Sequence, residues 1–126
     1  MQLTQDRAEG YLFVRACTPH AITVVDRELT RSFVLAPDKV VEDWPVTHAA
    51  EFDTAAADLI AALNPEVVLL GTGERQVFPP REALLALLQK RIGVEVMDNA
   101  AASRTYNLLA SEGRRAVAAF MLPAGK

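Results

Sequence analysis

The sequence predicts a single α/β domain in which antiparallel β-strands occupy the first third and helices alternate with strands through the rest. Two patterns carry that expectation. Short β-rich apolar runs crowd residues 11–45, and from residue 66 onward the chain reads strand, helix, strand, helix, strand. Size is the third observation, because 126 residues that are 51% hydrophobic and 23% charged suit one domain spanning 1–126 with one core.

Residues 11–16, 21–25 and 32–35 are runs rich in β-branched and aromatic side chains, separated by Thr18-Pro19-His20 and by Asp26-Arg27-Glu28, and they read as antiparallel strands. Ala36-Pro37-Asp38 turns the chain into a further extended piece at 40–44, which Pro45 ends. This closes a β-rich part of about 11–45. An α/β part of about 53–122 follows. Asp53-Thr54 opens its first helix, with Ala56, Leu59, Ile60 and Leu63 on one face, and Asn64-Pro65 stops it.

Residues 66–70, apolar without a break from Val67 onward, read as a buried strand that halts at Gly71-Thr72-Gly73. Pro79-Pro80 opens the second helix, whose Leu84, Leu85, Leu87 and Leu88 form a broad apolar stripe, with Lys90 and Arg91 in the last turn and Gly93 as cap. Residues 94–97 are the next strand. Asp98 or Asn99 caps a third helix running to about Glu112 before Gly113, and 117–122 is the final strand. A right-handed crossover from Val67 to Val96 places Gly71 and Asp98 on one edge of the sheet. Residues 123–126 read as a loose tail.

Residues 1–65 hold 5 basic against 10 acidic side chains and residues 66–126 hold 8 against 6, so the two stretches carry −5 and +2. This distribution argues against a nucleic-acid surface and for tolerance of anions in the second stretch. Cys17 is the only cysteine, which excludes an internal disulfide or thiolate cluster and points to a reducing, cytoplasmic setting. The opening residues are polar and of mixed charge, unlike a secretory leader. No apolar stretch approaches the roughly 20 residues that cross a bilayer, so membrane association is expected through a partner rather than by direct insertion.

Gly71, Thr72 and Gly73 stand where ligands gather in open α/β sheets, beyond the carboxyl end of a strand, and can present backbone N–H groups to an anion. The pattern lacks the third glycine of a dinucleotide loop and the lysine of a phosphate loop. Arg75, just past the loop, is a candidate clamp for a carboxylate or phosphate. In the third helix Ser103 and Asn107 share a face, with Arg104 beside them as a second charge partner. Asn107 is a poor interior helix residue, retained either to contact a ligand or to tie the helix to neighbouring backbone. Ser103 as a nucleophile would need a base and an orienting group, and His20 and His48 lie far away in sequence. No His or Cys cluster has metal spacing, so neither a metal nor a cofactor is expected.

Taken in order, Leu69-Leu70-Gly71-Thr72-Gly73, Gly93-Val94-Glu95-Val96-Met97-Asp98, Thr105-Tyr106-Asn107-Leu108-Leu109 and Glu112-Gly113-Arg114-Arg115 resemble the small-domain family that includes the mitochondrial respiratory complex I assembly factor three and many bacterial and archaeal proteins. The resemblance covers nearly the full chain and includes Trp44 in an acidic context. It implies a three-layer α/β fold around a mixed central sheet, a last strand running against its neighbours, no established enzymatic activity, and a pocket near Gly71-Thr72-Gly73 and Asn107. Many members carry cysteine where this chain has Ser103. A hydroxyl is far less nucleophilic at neutral pH, so obligatory thiol chemistry does not carry over.

The first functional expectation is therefore a non-enzymatic accessory protein that helps a membrane complex, such as respiratory complex I, to assemble through protein partners. The second is a domain binding a small anionic ligand through Gly71, Thr72, Gly73 and Asn107, with Arg75 or Arg104 as charge partner. An enzyme using Ser103 is the third.

Overall fold

The computed structural model describes residues 10–123. The strands are β1 (Val14–Cys17), β2 (Ile22–Val24), β3 (Arg27–Leu29), β4 (Phe33–Ala36), β5 (Lys39–Val41), β6 (Val67–Gly71), β7 (Gly93–Met97) and β8 (Ala116–Phe120). The helices are α1 (Thr54–Ala61), α2 (Arg81–Leu88) and α3 (Asn99–Ser111), with a short 3-10 turn at Ala49–Glu51. The polar opening and most of the tail expected at 123–126 lie outside the described residues.

Five strands form the central sheet in the order β5-β4-β8-β6-β7, and β1-β2-β3 form a separate antiparallel sheet. β8 sits in the middle with all five residues buried, as a strand covered on both faces must be. Its side chains divide by the two-residue period of a strand. Val117, Ala119 and Met121 join a core with Ala57 and Ile60 of α1 and Ala83 and Leu87 of α2. Ala116, Ala118 and Phe120 join a second core with Ala102 and Tyr106 of α3 and with Ile22 and Leu29 of the small sheet. The result is three layers: α1 and α2, the mixed sheet, then α3 with the small sheet.

Several expectations are corrected. Asp26-Arg27-Glu28 is not a mere separator, because Arg27 begins β3, joined to β2 through a two-residue turn in which Val25 has φ of 57°. The last strand does not run against both neighbours, since β8 is antiparallel to β4 but parallel to β6. α3 carries the chain back from β7 to the starting end of the sheet, so β8 must point the same way as β6. In α1, Leu59 is exposed and Ala57 faces inward instead. On α2 the broad stripe narrows to Ala83 and Leu87, with Leu84 half-buried and Leu85 and Leu88 exposed. α2 stops before Lys90 and Arg91, the left-handed residue is Arg91 (φ 64°), and Gly93 is the first residue of β7.

Both aspartate caps form, with Asp53 accepting from the Ala56 N–H at 2.9 Å and Asp98 from the Ala101 N–H at 2.8 Å. The small sheet is pinned to α3 by polar contacts. Asn107 Oδ1 accepts from the Val14 N–H at 2.9 Å, its Nδ2 donates to the Val14 carbonyl at 2.8 Å, and the Tyr106 hydroxyl donates to the Leu12 carbonyl at 2.8 Å.

Replacing Asn107 by Ala strands both Val14 groups, so Asn107→Ala should cost about 2 kcal/mol in urea unfolding and speed amide exchange at Val14 first. Burial, with a smaller contribution from Tyr11, pushes the Tyr106 phenol well above its ordinary range. An acid with a raised folded pKa keeps its full stability below the unfolded value and loses it above. Stability should therefore fall as pH rises past about 10, and more shallowly in Tyr106→Phe, as read by unfolding at pH 8 to 11.

Candidate functional site

The loop after β6 lies at the carboxyl edge of the three parallel strands, where Gly71 pairs with Met97 of β7 and with Phe120 of β8. β6 leads to α2 on one face of the sheet and β7 leads to α3 on the other, which opens a crevice of the kind that holds ligands in α/β folds. Here the protein fills that crevice itself. The filling side chain is Asn99, 5% exposed, in the first turn of α3.

Asn99 Oδ1 accepts from the Gly73 N–H at 3.2 Å, its Nδ2 donates to the Met121 carbonyl at 3.0 Å, and its own N–H donates to the Gly73 carbonyl at 2.8 Å. Thr72 N–H donates to the Met97 carbonyl at 3.0 Å, and Met121 N–H donates to the Gly71 carbonyl at 2.9 Å. The amide of one residue thus joins the ends of β6 and β8 to the helix that follows β7. Both glycines have steric reasons. A Cβ at Gly71 would fall 2.4 Å from Asn99 Oδ1 and 3.2 Å from the Phe120 ring, and Gly73 has φ of +99°.

The rest of the loop folds onto itself. Thr72 Oγ1 donates to the Arg75 carbonyl at 2.5 Å and accepts from the Val77 N–H at 3.0 Å, while Gln76 Nε2 donates to the Val96 carbonyl at 2.8 Å. Ser103 is buried, and its hydroxyl donates to the Asn99 carbonyl one turn back at 2.9 Å. Asn107 lies a further turn along, committed to Val14. The fold therefore brings Gly71, Thr72, Gly73 and Ser103 around Asn99, while Asn107 serves β1. Arg75 and Arg104 are both exposed.

A small pocket of about 240 Å³ adjoins the loop, between Gly73, Glu74, Asp98 and Asn99 on one side and Cys17, Thr18 and Pro19 at the end of β1 on the other. Its two carboxylates oppose an anion, and Asp98 already answers the positive end of α3. Among the described residues no group of three or more His, Cys, Asp or Glu side chains is arranged to hold a metal. The sequence offers Asn99 only as an alternative cap to Asp98; the cap is Asp98, and the link from Asn99 to the loop goes unread. The Asp-Asn pair was the available signal, since a second Asx inside the first turn is free for longer-range bonds.

Residues 14–121 match the family described as proteins of unknown function DUF498/DUF598. The chain belongs to that family. Among curated members, it is 29% identical over 115 residues to the 13 kDa major membrane protein of Francisella tularensis, spanning 90% of this chain and 94% of that protein. It is 37% identical over 127 residues to NADH dehydrogenase [ubiquinone] 1 alpha subcomplex assembly factor 3 of Bos taurus, spanning 99% of this chain and 68% of that protein. The family resemblance read from the ordered motifs therefore holds.

Solved structures of family members agree on the fold. An NMR structure from Xanthomonas campestris shares 45% identity with a TM-score of 0.84, covering 100% of this chain and 96% of that one. A Mth938-like domain from Bordetella pertussis shares 33% identity with a TM-score of 0.81, covering 100% and 94%. No helix among the described residues is long and apolar enough to cross a membrane.

Gly71→Ala drives a methyl group into the Asn99 amide, so it should cost about 1 to 3 kcal/mol in urea unfolding, whereas Arg75→Ala on the exposed loop should stay within about 0.5 kcal/mol.

Proposed function

We propose that the chain is a non-enzymatic accessory protein that acts by binding a protein partner during assembly of a membrane complex, on its cytoplasmic side. One observation carries the reading. The side chains of Thr72, Asn99, Ser103 and Asn107 all bond the protein's own backbone, so the polar groups best placed to hold a ligand or perform chemistry are the ones that hold the fold together. Among the described residues Ser103 hydrogen-bonds no base of the kind nucleophilic catalysis requires, and its hydroxyl donates to a helix carbonyl.

The relatives support the kind of partner. Similarity to an assembly factor of NADH dehydrogenase extends over 99% of this chain, which makes respiratory complex I the first complex to test. The surface supports a protein contact. Val77 and Phe78, exposed by 50% and 66%, precede α2, which adds Leu85 and Leu88, so large apolar side chains run outward from the loop into the helix. Exposed apolar surface of this kind, with an aromatic anchor, suits protein docking. The anion-binding alternative is the weaker reading, because Glu74 and Asp98 flank the pocket it would use.

Affinity purification of the tagged chain from its native cells under mild detergent should enrich subunits of a membrane complex, and Phe78→Asp should reduce that recovery by about tenfold. A preparation enriched in no such subunit, together with normal NADH oxidation in a deletion strain, contradicts the proposal.

A further inference from the structure

A larger opening lies on the same edge of the central sheet, near the small pocket and sharing Thr18 with it. This cleft, of about 870 Å³, has Glu28, Thr30 and Arg31 on one wall and Trp44, Pro45 and Leu122 on another. A second depression of about 240 Å³ shares Glu28, Thr30, Arg31 and Asp43 with it and extends the groove to Arg27 and Glu42. Together they form an elongated trough beside β3. A trough that follows an edge strand can take an extended chain.

Its floor is held in place. Ser32 Oγ accepts from the Leu122 N–H at 2.9 Å, and the Ser32 carbonyl accepts from the Trp44 N–H at 3.1 Å. Asp43, immediately before Trp44, has φ of 57°, a backbone state that a non-glycine residue adopts at a cost. Trp44 packs edge-on against Phe52 at 6.0 Å and is 3% exposed, yet its indole N–H has no acceptor among the described residues. A buried donor without a partner is costly and calls for a reason.

The walls carry charge and hydrogen-bonding backbone. Arg31 pairs with Asp43 at 3.2 Å and Arg27 with Glu42, which neutralises both arginines. Glu28 has no cation partner among the described ion pairs, so the described lining holds three carboxylates, of Glu28, Glu42 and Asp43, against the two arginines, with His20 beside them. β3 is an outer strand of its sheet. In the β2–β3 hairpin the two-residue turn makes Val24 and Arg27 the closing hydrogen-bonded pair, and Ile22 and Leu29 the next. The N–H and carbonyl of Glu28 therefore point away from β2, onto the open edge.

We infer that this trough receives an extended peptide segment of a protein partner, with a lysine or arginine opposite Glu28, an apolar side chain over Pro45 and Leu122, and main-chain pairing along β3. Strand addition of this kind takes its affinity from backbone hydrogen bonds and its selectivity from the side chains at alternate positions. The inference rests on the accessory-protein reading only in taking the partner to be a protein. It places recognition at a site separate from Phe78 and Leu88.

Trp44 is the only tryptophan, so its fluorescence reports on the cleft directly. The full chain is titrated with an N-acetylated, C-amidated hexapeptide alternating leucine and lysine, and with its leucine–glutamate counterpart. The lysine peptide should shift Trp44 emission saturably and bind about tenfold more tightly than the glutamate peptide. Glu28→Gln should weaken the lysine peptide by about threefold, and Glu28→Lys should reverse the preference. Circular dichroism confirms that both exposed substitutions leave the fold intact. Absence of any emission change, or affinities that both Glu28 variants leave untouched, overturns the inference. Recovery of membrane-complex subunits separates the two proposals. Equal recovery by the unaltered chain and by Glu28→Lys defeats the trough and leaves the accessory role standing, whereas recovery of none by the unaltered chain defeats the accessory role while the peptide titration still decides the trough.

Discussion

The carboxyl edge of the sheet depends on the Asn99 side chain. Three parallel strands end there, and their chain continues in three different directions, toward α2, toward α3 and past Met121. The backbone groups at those exits have left the ladder and are partly or wholly buried, so leaving one without a partner costs free energy. One carboxamide offers an acceptor to Gly73 and a donor to Met121 while sitting on a helix that Asp98 caps. Because its oxygen lies where a Cβ at Gly71 would stand, the latch and the glycine require each other.

That latch gives the candidate ligand loop a structural role. The crevice that doubly wound sheets leave open is occupied by Asn99 and by a loop whose threonine hydroxyl bonds its own backbone. In the reading proposed above, recognition falls to surfaces on either side of the joint. One is the apolar run through Phe78 and α2, and the other is the trough between β3 and Trp44. A latched edge with two such surfaces is what the proposed accessory role calls for, and relatives are named as an assembly factor of NADH dehydrogenase.

What could be read from sequence follows from where each interaction is local. Residues 67–70 announce a doubly buried strand because every position must be apolar, and Asp53 and Asp98 announce their helices because a cap bonds three residues ahead. β3 stays hidden because Arg27 and Glu28 are exposed and only Leu29 faces a core. The leucines of α2 reveal a helix but not the width of what covers it, so Leu85 and Leu88 look internal and are not. Asn107 is recognisable as a side chain kept for hydrogen bonds, yet its partner Val14 is 93 residues away. Asn99 is harder still, since its side-chain partners are backbone atoms 26 and 22 residues distant, and no residue type at those positions betrays them.

The claim that the glycine loop is a latch closed by Asn99 is tested most directly by a double-mutant cycle on Gly71→Ala and Asn99→Ala, followed by urea unfolding. If the methyl group and the amide compete for one space, Gly71→Ala should cost less once Asn99 is shortened, giving a coupling energy of about 1 to 2 kcal/mol. Additive losses, with Gly71→Ala equally damaging in both backgrounds, would contradict the latch and return the crevice to the list of open binding sites.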